Sequence, residues 1–179
     1  FLVIGTGIAG LSAAKELSQH GTVSVLTKGN LYSGSTTWAQ GGIAAAMTPE
    51  DTPKLHLEDT LFAGDGLCDC QAVEILVEDG PKRVKELIEL GANFDKLGND
   101  FDFTKEAAHS KRRILHAGDA TGREIEKTLG RYLLSQSNIS FYPFMAVNSL
   151  LVEEGSCYGC IAVSLNNDFD FVQFQARAV

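Results

Sequence analysis

Phe1-Leu2-Val3-Ile4-Gly5-Thr6-Gly7-Ile8-Ala9-Gly10 is the stretch that decides the fold. Phe1–Ile4 is an apolar run that stops at a glycine, as a strand buried on both faces does. Beyond Gly10, the apolar Leu11, Ala14 and Leu17 recur at helical spacing, and the pattern ends near His20-Gly21. Val23-Ser24-Val25-Leu26 reads as the next strand. Strand, Gly-x-Gly-x-x-Gly turn, helix and strand in this order form the setting of a dinucleotide-binding fingerprint. Gly5 allows the tight turn, Gly7 lets the backbone approach a pyrophosphate, and Gly10 lets the helix pack close to the strand. The helix N-terminus offers N–H groups and a partial positive charge to phosphates. The plain alternative is a glycine turn that binds nothing.

One position departs from the usual fingerprint. An acid is expected near the end of the second strand, to hold ribose hydroxyls. Here that end reads Leu26-Thr27-Lys28. Thr27 can hydrogen-bond a hydroxyl, and Lys28 either contacts a phosphate or sits in solvent.

A second small-residue run follows: Ser35-Thr36-Thr37-Trp38-Ala39-Gln40-Gly41-Gly42-Ile43-Ala44-Ala45. Small residues let backbone lie flat against a planar ligand, and Gly41-Gly42 permits positive φ. The alternative is a small-residue turn before a buried segment.

At these residues the chain resembles the L-aspartate oxidase branch of the fumarate reductase/succinate dehydrogenase flavoprotein family. The resemblance runs from Phe1 to about Val152, and more loosely to Val179. It rests on ordered blocks: Ile4 to Ala13, Leu26 to Gly29, Gly34 to Thr36, Trp38 to Ala44, Glu58 to Leu61, and Ala63-Gly64. The last blocks are Glu106, His109-Ser110, Arg112 to Ala117 and Asp119 to Glu124. It implies a Rossmann-like α/β FAD-binding domain (GR2-type), with a parallel central sheet plus a β-meander. Residues 1–179 would be the N-terminal part of that domain. The capping and C-terminal helical domains, with the catalytic Arg and the substrate-binding His and Arg, would lie downstream, so this segment is expected to show no turnover alone.

The resemblance also assigns residues. Gly5, Thr6, Gly7, Ile8, Ala9 and Gly10 would form the pyrophosphate turn. Thr27, Lys28, Ser35, Thr36, Thr37, Trp38, Ala39, Gln40, Gly41 and Gly42 would line FAD, and Ala146-Val147 would pass the adenine. Family members at Thr27 carry Ser or Thr, in keeping with the missing acid. Covalent relatives carry a flavin-linked histidine at the place of Ser35, so the FAD here is expected to be non-covalent. The implied reaction converts L-aspartate to iminoaspartate for NAD biosynthesis, with fumarate or O2 as acceptor. Association with the next enzyme of that pathway is a further implied partner. A fumarate reductase or succinate dehydrogenase type of flavoprotein, and a non-catalytic dinucleotide-binding fragment, are the two rivals.

Thr104 to Ile114 is the chemically richest segment, with Glu106 and His109 among Lys105, Lys111, Arg112 and Arg113. By composition alone it is a solvated charged loop. By the resemblance, Glu106 orients the substrate, and its carboxylate would bind the substrate ammonium and disfavour a dicarboxylate lacking it. The family's usual Gly-Gly is replaced by Ala107-Ala108, and Lys111 stands where His or a small residue is usual.

Elsewhere, Leu55 to Leu61 reads as helical, with His56 on the surface or in the core rather than catalytic. Cys70–Asp79 and Pro81–Leu90 read as two helices, with Pro81 in the first turn of the second. Phe94 to Phe103 reads as irregular. Ala120 to Glu124 opens a helix, with Thr121 as N-cap and Glu124 completing a capping box. Ile139 to Tyr142 and Ala146 to Val152 read as strands, 155–159 as a hairpin turn, and Cys160 to Val163 and Phe169 to Ala178 as a continuing meander.

Composition sets bounds on this reading. The 179 residues suit one domain, with 44% hydrophobic and 21% charged residues. A net charge of −8 argues against nucleic acid as a partner. No apolar run of ~18 residues exists to span a membrane. Cys157-Tyr158-Gly159-Cys160 has C-x-x-C spacing, but Cys68-Asp69-Cys70 is too close to complete a zinc site, so no metal is expected. Reduced thiols in a cytoplasmic chain are the default expectation.

Overall fold

The computed structural model describes residues 1–166 and 169–179. In chain order the elements are β1 (Leu2–Ile4), α1 (Ile8–Leu17), β2 (Val23–Thr27), β3 (Ile43–Ala44), α2 (Pro53–Ala63) and α3 (Cys70–Glu89). Next come β4 (Lys96–Leu97), β5 (Asp100–Phe101), β6 (Phe103–Thr104), β7 (Ile114–Leu115) and α4 (Thr121–Leu134). β8 (Ile139–Pro143), β9 (Met145–Glu153), β10 (Ser156–Ser164) and β11 (Phe171–Gln175) complete the set, and a 3₁₀ turn covers Ser35–Trp38.

The elements form two units: residues 1–38 with 125–179, and residues 39–124. In the first, β1, β2 and β8 make a parallel sheet in the order β1-β2-β8, with Leu2 opposite Ser24 and Val25 opposite Phe141. Both neighbours of β2 pair with it, and Val23, Val25 and Leu26 are buried, as a central parallel strand requires. The antiparallel meander β9-β10-β11 meets this sheet through a core of Leu2, Leu26, Cys160 and Ala162, flanked by Tyr142, Met145, Val147 and Phe174. The expected parallel sheet plus meander is therefore present.

The hairpin turn lies earlier than expected. It is Glu154-Gly155, both at positive φ (48° and 79°), and Ser156 already pairs with Glu153. Two consecutive positive-φ residues match the right-handed twist of the strands they join. Gly159 sits instead inside β10 beside a register shift, where a Cβ would strike Phe174 O at 2.1 Å.

In the second unit α2 is capped by Thr52, whose hydroxyl accepts from Leu55 N. Asp69 caps α3 by accepting from Gln71 N and Ala72 N. α3 is one helix through Pro81, not two. A proline ring crowds the Cβ of the residue before it, and that residue is Gly80, which has none; the helix therefore continues. Phe94–Phe103 is not wholly irregular, since β4 and β5 pair antiparallel across Gly98, at φ +68°. β3, β7 and β6 form a small antiparallel sheet in the order β3-β7-β6.

The expected capping box on α4 is not formed. Thr121 is already helical and accepts through its hydroxyl from Ala117 N, while the Glu124 carboxylate accepts from Asn93 N at 2.8 Å. A better-placed backbone donor on a neighbouring loop has taken the acid.

Candidate functional site

In the first unit the chain turns sharply from β1 into α1. Gly5 has φ +106°, and its N–H donates to Leu26 O at 2.8 Å, joining the turn to β2. At Gly10 a Cβ would lie 2.1 Å from Gly5 O, so α1 rests directly on the turn. Gly7 is the extended N-cap of α1, with no side-chain cap. Its missing side chain makes room for Thr36, whose Oγ1 would lie 3.3 Å from a Cβ there and which accepts from Ile8 N at 3.0 Å. The glycine thus serves a protein contact beyond the expected approach to a ligand.

These groups open onto a cavity of about 770 Å³. Ile4, Gly5, Thr6 and Gly7 line it from the turn, and Leu26 to Gly29 from the end of β2. Ser33 to Thr36 and Met145 to Val147 complete it. Known small-molecule sites span about 300–1,000 Å³, so the size suits an organic ligand. The structure thus brings together Gly5, Thr6, Gly7, Thr27, Lys28, Ser35, Thr36, Ala146 and Val147. Sequence reasoning did not place Ser33 or Met145 in this lining; neither carries a motif of its own. Ile8, Ala9 and Gly10 stand in the first turn of α1 and are not in the lining. Trp38 is 73% exposed. Thr6 and Thr27 are buried and hydrogen-bond each other through their hydroxyls at 3.2 Å, which ties the turn to β2.

Thr37 is turned away from the cavity. Its hydroxyl meets Tyr32 O at 2.8 Å and Glu126 Oε2. Glu126, on α4, is fully buried, and its Oε1 has no hydrogen-bond partner. Burial pushes its carboxyl above the usual carboxylate range, and the bond with Thr37 opposes this only in part. Sequence reasoning missed Glu126; an acid at a position of α4 flanked by apolar Ile125 and Leu129 was the available signal.

Ala39, Gln40, Gly41 and Gly42, with Glu106, belong to the second unit. Neither Gly41 nor Gly42 uses the positive φ that glycine permits. Gly42 is required by contact: a Cβ would lie 2.3 Å from Ile114 Cγ2, 2.7 Å from Leu115 O and 2.8 Å from His116 Nε2. Ala39 O accepts from Gly122 N. Glu106 is half-exposed and pairs through Oε1 with His116 Nε2 at 3.1 Å, and the same nitrogen lies 3.0 Å from Thr104 Oγ1.

Behind this segment Arg113 is fully buried. Its Nε and Nη2 grip Asp51 at 2.7 and 2.8 Å, and Nη1 donates to Asp59 at 2.7 Å. Ser110 adds N–H and O–H bonds to Asp59, both 2.8 Å. Burial of Asp59 works against ionisation, but Ser110 and Arg113 outweigh it and hold the carboxyl below its ordinary range. Nη1 also lies 3.3 Å from His109 Nδ1, and the His109 ring is tilted against His56, with centroids 5.7 Å apart. His56 is a core histidine, kept neutral by burial first and then by the Arg113 charge. Arg113 was read as one of four loop cations; only the fold shows it to be the buried anchor of the segment.

A family profile described as an FAD binding domain matches residues 1–179. The chain belongs to the FAD binding domain family. FAD is therefore its cofactor, and the first unit fits it. The N-terminus of α1, with no side-chain cap from Gly7 and its Ile8 N–H taken by Thr36 Oγ1, adjoins a cavity of suitable size, Gly7 and Gly34 face one another without side chains, and Lys28 adds an exposed cation. This FAD-binding domain is 44% identical over 99% of its length to an L-aspartate oxidase of Synechocystis, and 42% identical over 99% to a chloroplastic L-aspartate oxidase of Arabidopsis thaliana. It spans 32% and 28% of those proteins. Among solved structures it matches E. coli quinol fumarate reductase with a TM-score of 0.93 at 26% identity, covering 100% of this chain and 32% of that one. Among the described residues no helix is long and apolar enough to cross a membrane, and no three His, Cys, Asp or Glu side chains group as a metal site.

Proposed function

We propose that this FAD-binding domain is the cofactor-holding part of an L-aspartate oxidase, which oxidises L-aspartate to iminoaspartate and passes the electrons to fumarate or O2. The 44% identity across 99% of the chain to an L-aspartate oxidase carries the reading. FAD, when bound, supplies the two-electron acceptor chemistry. The chain's own contribution is placement. The Gly5–Gly10 turn and the α1 N-terminus hold the pyrophosphate, Thr27 and Lys28 flank the ribose and phosphates, and Met145 to Val147 border the adenine end. Ser35 carries no imidazole, so the flavin is held non-covalently. Glu106, steadied by His116, accepts from the substrate ammonium through its free oxygen, which selects an amino acid over a plain dicarboxylate. The four free cysteines among the described residues suit a reducing compartment, in keeping with a cytoplasmic site. Association with the enzyme that consumes iminoaspartate belongs to the same reading.

A second reading, a fumarate reductase type of flavoprotein, is favoured by the TM-score of 0.93 to quinol fumarate reductase. Anaerobic addition of L-aspartate or succinate to the whole purified flavoprotein separates the two. Bleaching of the flavin band by L-aspartate and not by succinate is expected. Bleaching by succinate alone would overturn the first reading in favour of the second.

A further inference from the structure

We propose that Glu126 is held as a protonated carboxylic acid and in that form positions the Asn30–Trp38 loop that lines the FAD cavity. It is a positioning residue for the cofactor, one layer removed from it.

Counting hydrogens leads to this assignment. The Thr37 hydroxyl lies within bonding reach of two oxygens, Tyr32 O at 2.8 Å and Glu126 Oε2. A hydroxyl has one hydrogen to donate, and a backbone carbonyl has none. If the Thr37 hydrogen goes to Glu126, the Tyr32 and Thr37 oxygens face each other at 2.8 Å with nothing between them. If it goes to Tyr32 O, the contact with Glu126 needs a hydrogen from Glu126. A carboxylic acid satisfies both contacts in full, in the chain Glu126 O–H to Thr37 O–H to Tyr32 C=O, whereas one hydrogen shared between the two oxygens satisfies each only in part. The other oxygen, Oε1, is buried and unpartnered. An unpartnered carbonyl oxygen is tolerable there, whereas half of an ionised carboxylate is not. Burial independently favours the neutral form.

The surroundings tie this acid to the cofactor. A Cβ on Gly34 would lie 3.1 Å from Glu126 Oε1 and 3.7 Å from both N and Cα of Gly7. Gly34 is therefore the thin spacer between the acid and the pyrophosphate turn. Two residues on, Thr36 Oγ1 accepts from Ile8 N at the start of α1. The acid fixes Thr37, and Thr36 and Gly34 are fixed with it. A neutral Glu126 also sets no negative charge behind a turn built for a diphosphate. The other titratable groups on the adjoining elements are Tyr32 on the loop, Lys28 at the end of β2, Lys15 and Glu16 on α1, and Arg123, Glu124, Lys127, Arg131 and Tyr132 on α4, of which Glu124 is bonded to Asn93 N. Lys28, Lys127 and Arg131 are exposed, the Tyr32 ring lies against Gly130, and Lys15 bonds Glu16 at 3.2 Å.

The test uses the whole purified protein. Infrared difference spectra of the native protein and Glu126→Gln should show a carboxylic-acid carbonyl band that the variant lacks. Gln keeps the shape and an N–H donor for Thr37, and cannot ionise. FAD affinity, followed by flavin fluorescence, should agree within about threefold between the two at mildly acidic pH. As pH rises past the point where Glu126 loses its proton, the native affinity should fall by up to about tenfold per pH unit, and the variant's should not. Glu126→Asp, too short to reach Thr37, should weaken FAD by about tenfold while the far-UV spectrum stays native. Absence of the carbonyl band, or a Gln variant that loses tenfold or more in affinity at acidic pH, would overturn the proposal. Should Glu126→Gln fail to fold, the band in the native protein, assigned by its persistence in variants of the exposed acids, decides alone.

Discussion

Replacing Gly10 by Ala is a single-methyl change whose outcome the structure sets against intuition. By helix propensity alone the substitution stabilises α1 by about 1 kcal/mol. The structure places the new methyl 2.1 Å from Gly5 O and 3.0 Å from Gly5 C, both backbone atoms of the turn. No rotamer relieves this, so α1 must lift from β1 by about 1 Å, an overpacking that costs about 1–3 kcal/mol. Because the overlap is with backbone, packing outweighs propensity, and a net loss of up to about 2 kcal/mol is expected, which lowers Tm by about 2–4 °C per kcal/mol for a domain of this size. The same displacement moves the N–H groups of α1 from the place proposed for the pyrophosphate, so FAD affinity should fall by about tenfold or more. Calorimetry and flavin-fluorescence titration measure the two effects. Ala13→Gly, at an exposed position of the same helix, is the control: it weakens α1 by about 1 kcal/mol without entering the turn and should leave FAD affinity unchanged. A Gly10→Ala protein with undiminished Tm and undiminished FAD affinity would refute the packing argument.

Arg113→Leu strands Asp51 in the core without its partner, and should cost about 3–5 kcal/mol in urea unfolding; a loss below 1 kcal/mol would show that the network contributes little. His56 is neutral in the fold and can take a proton when unfolded, so stability is complete above about pH 6.5 and falls as pH drops below it. His56→Gln should flatten that slope by up to about 1.4 kcal/mol per pH unit, and an unchanged slope would assign the titration to another group. Gly42→Ala should push His116 off Glu106 and, on the proposed function, raise KM for L-aspartate about tenfold in the whole protein; an unchanged KM would contradict it. Acid precipitation should release all the flavin into the supernatant, because Ser35 offers no imidazole to bond it; yellow protein in the pellet would overturn non-covalent binding.

The short-range features were legible because each depends on a few neighbouring residues. Gly5 must leave the ordinary φ range to end a strand and start a helix, and its φ of +106° was foreseeable from Gly-x-Gly alone. The alternation of Phe171 to Gln175 and the buried run of β2 gave the meander and the parallel strand by periodicity. Misreadings came where a distant contact replaced a local rule. Glu124 bonds Asn93, not its own helix end, and Gly42 is small because Ile114 and His116 press on it, not because of φ.

By itself, the sequence determined that a Gly-x-Gly-x-x-Gly turn joins a buried strand to a helix, the setting in which a phosphate-bearing cofactor is expected at that helix end. Those consequences follow from sterics and backbone dipoles confined to one short segment. Only the tertiary structure decided which charged groups face water and which lie inside. Arg113 and Glu126 look on paper like their solvated neighbours Arg112 and Lys127, yet both are fully buried. One is held by Asp51 and Asp59, the other by the hydroxyl of Thr37. The ionisation of a buried group is set by desolvation and by partners remote in sequence, and those partners meet only when the chain is folded.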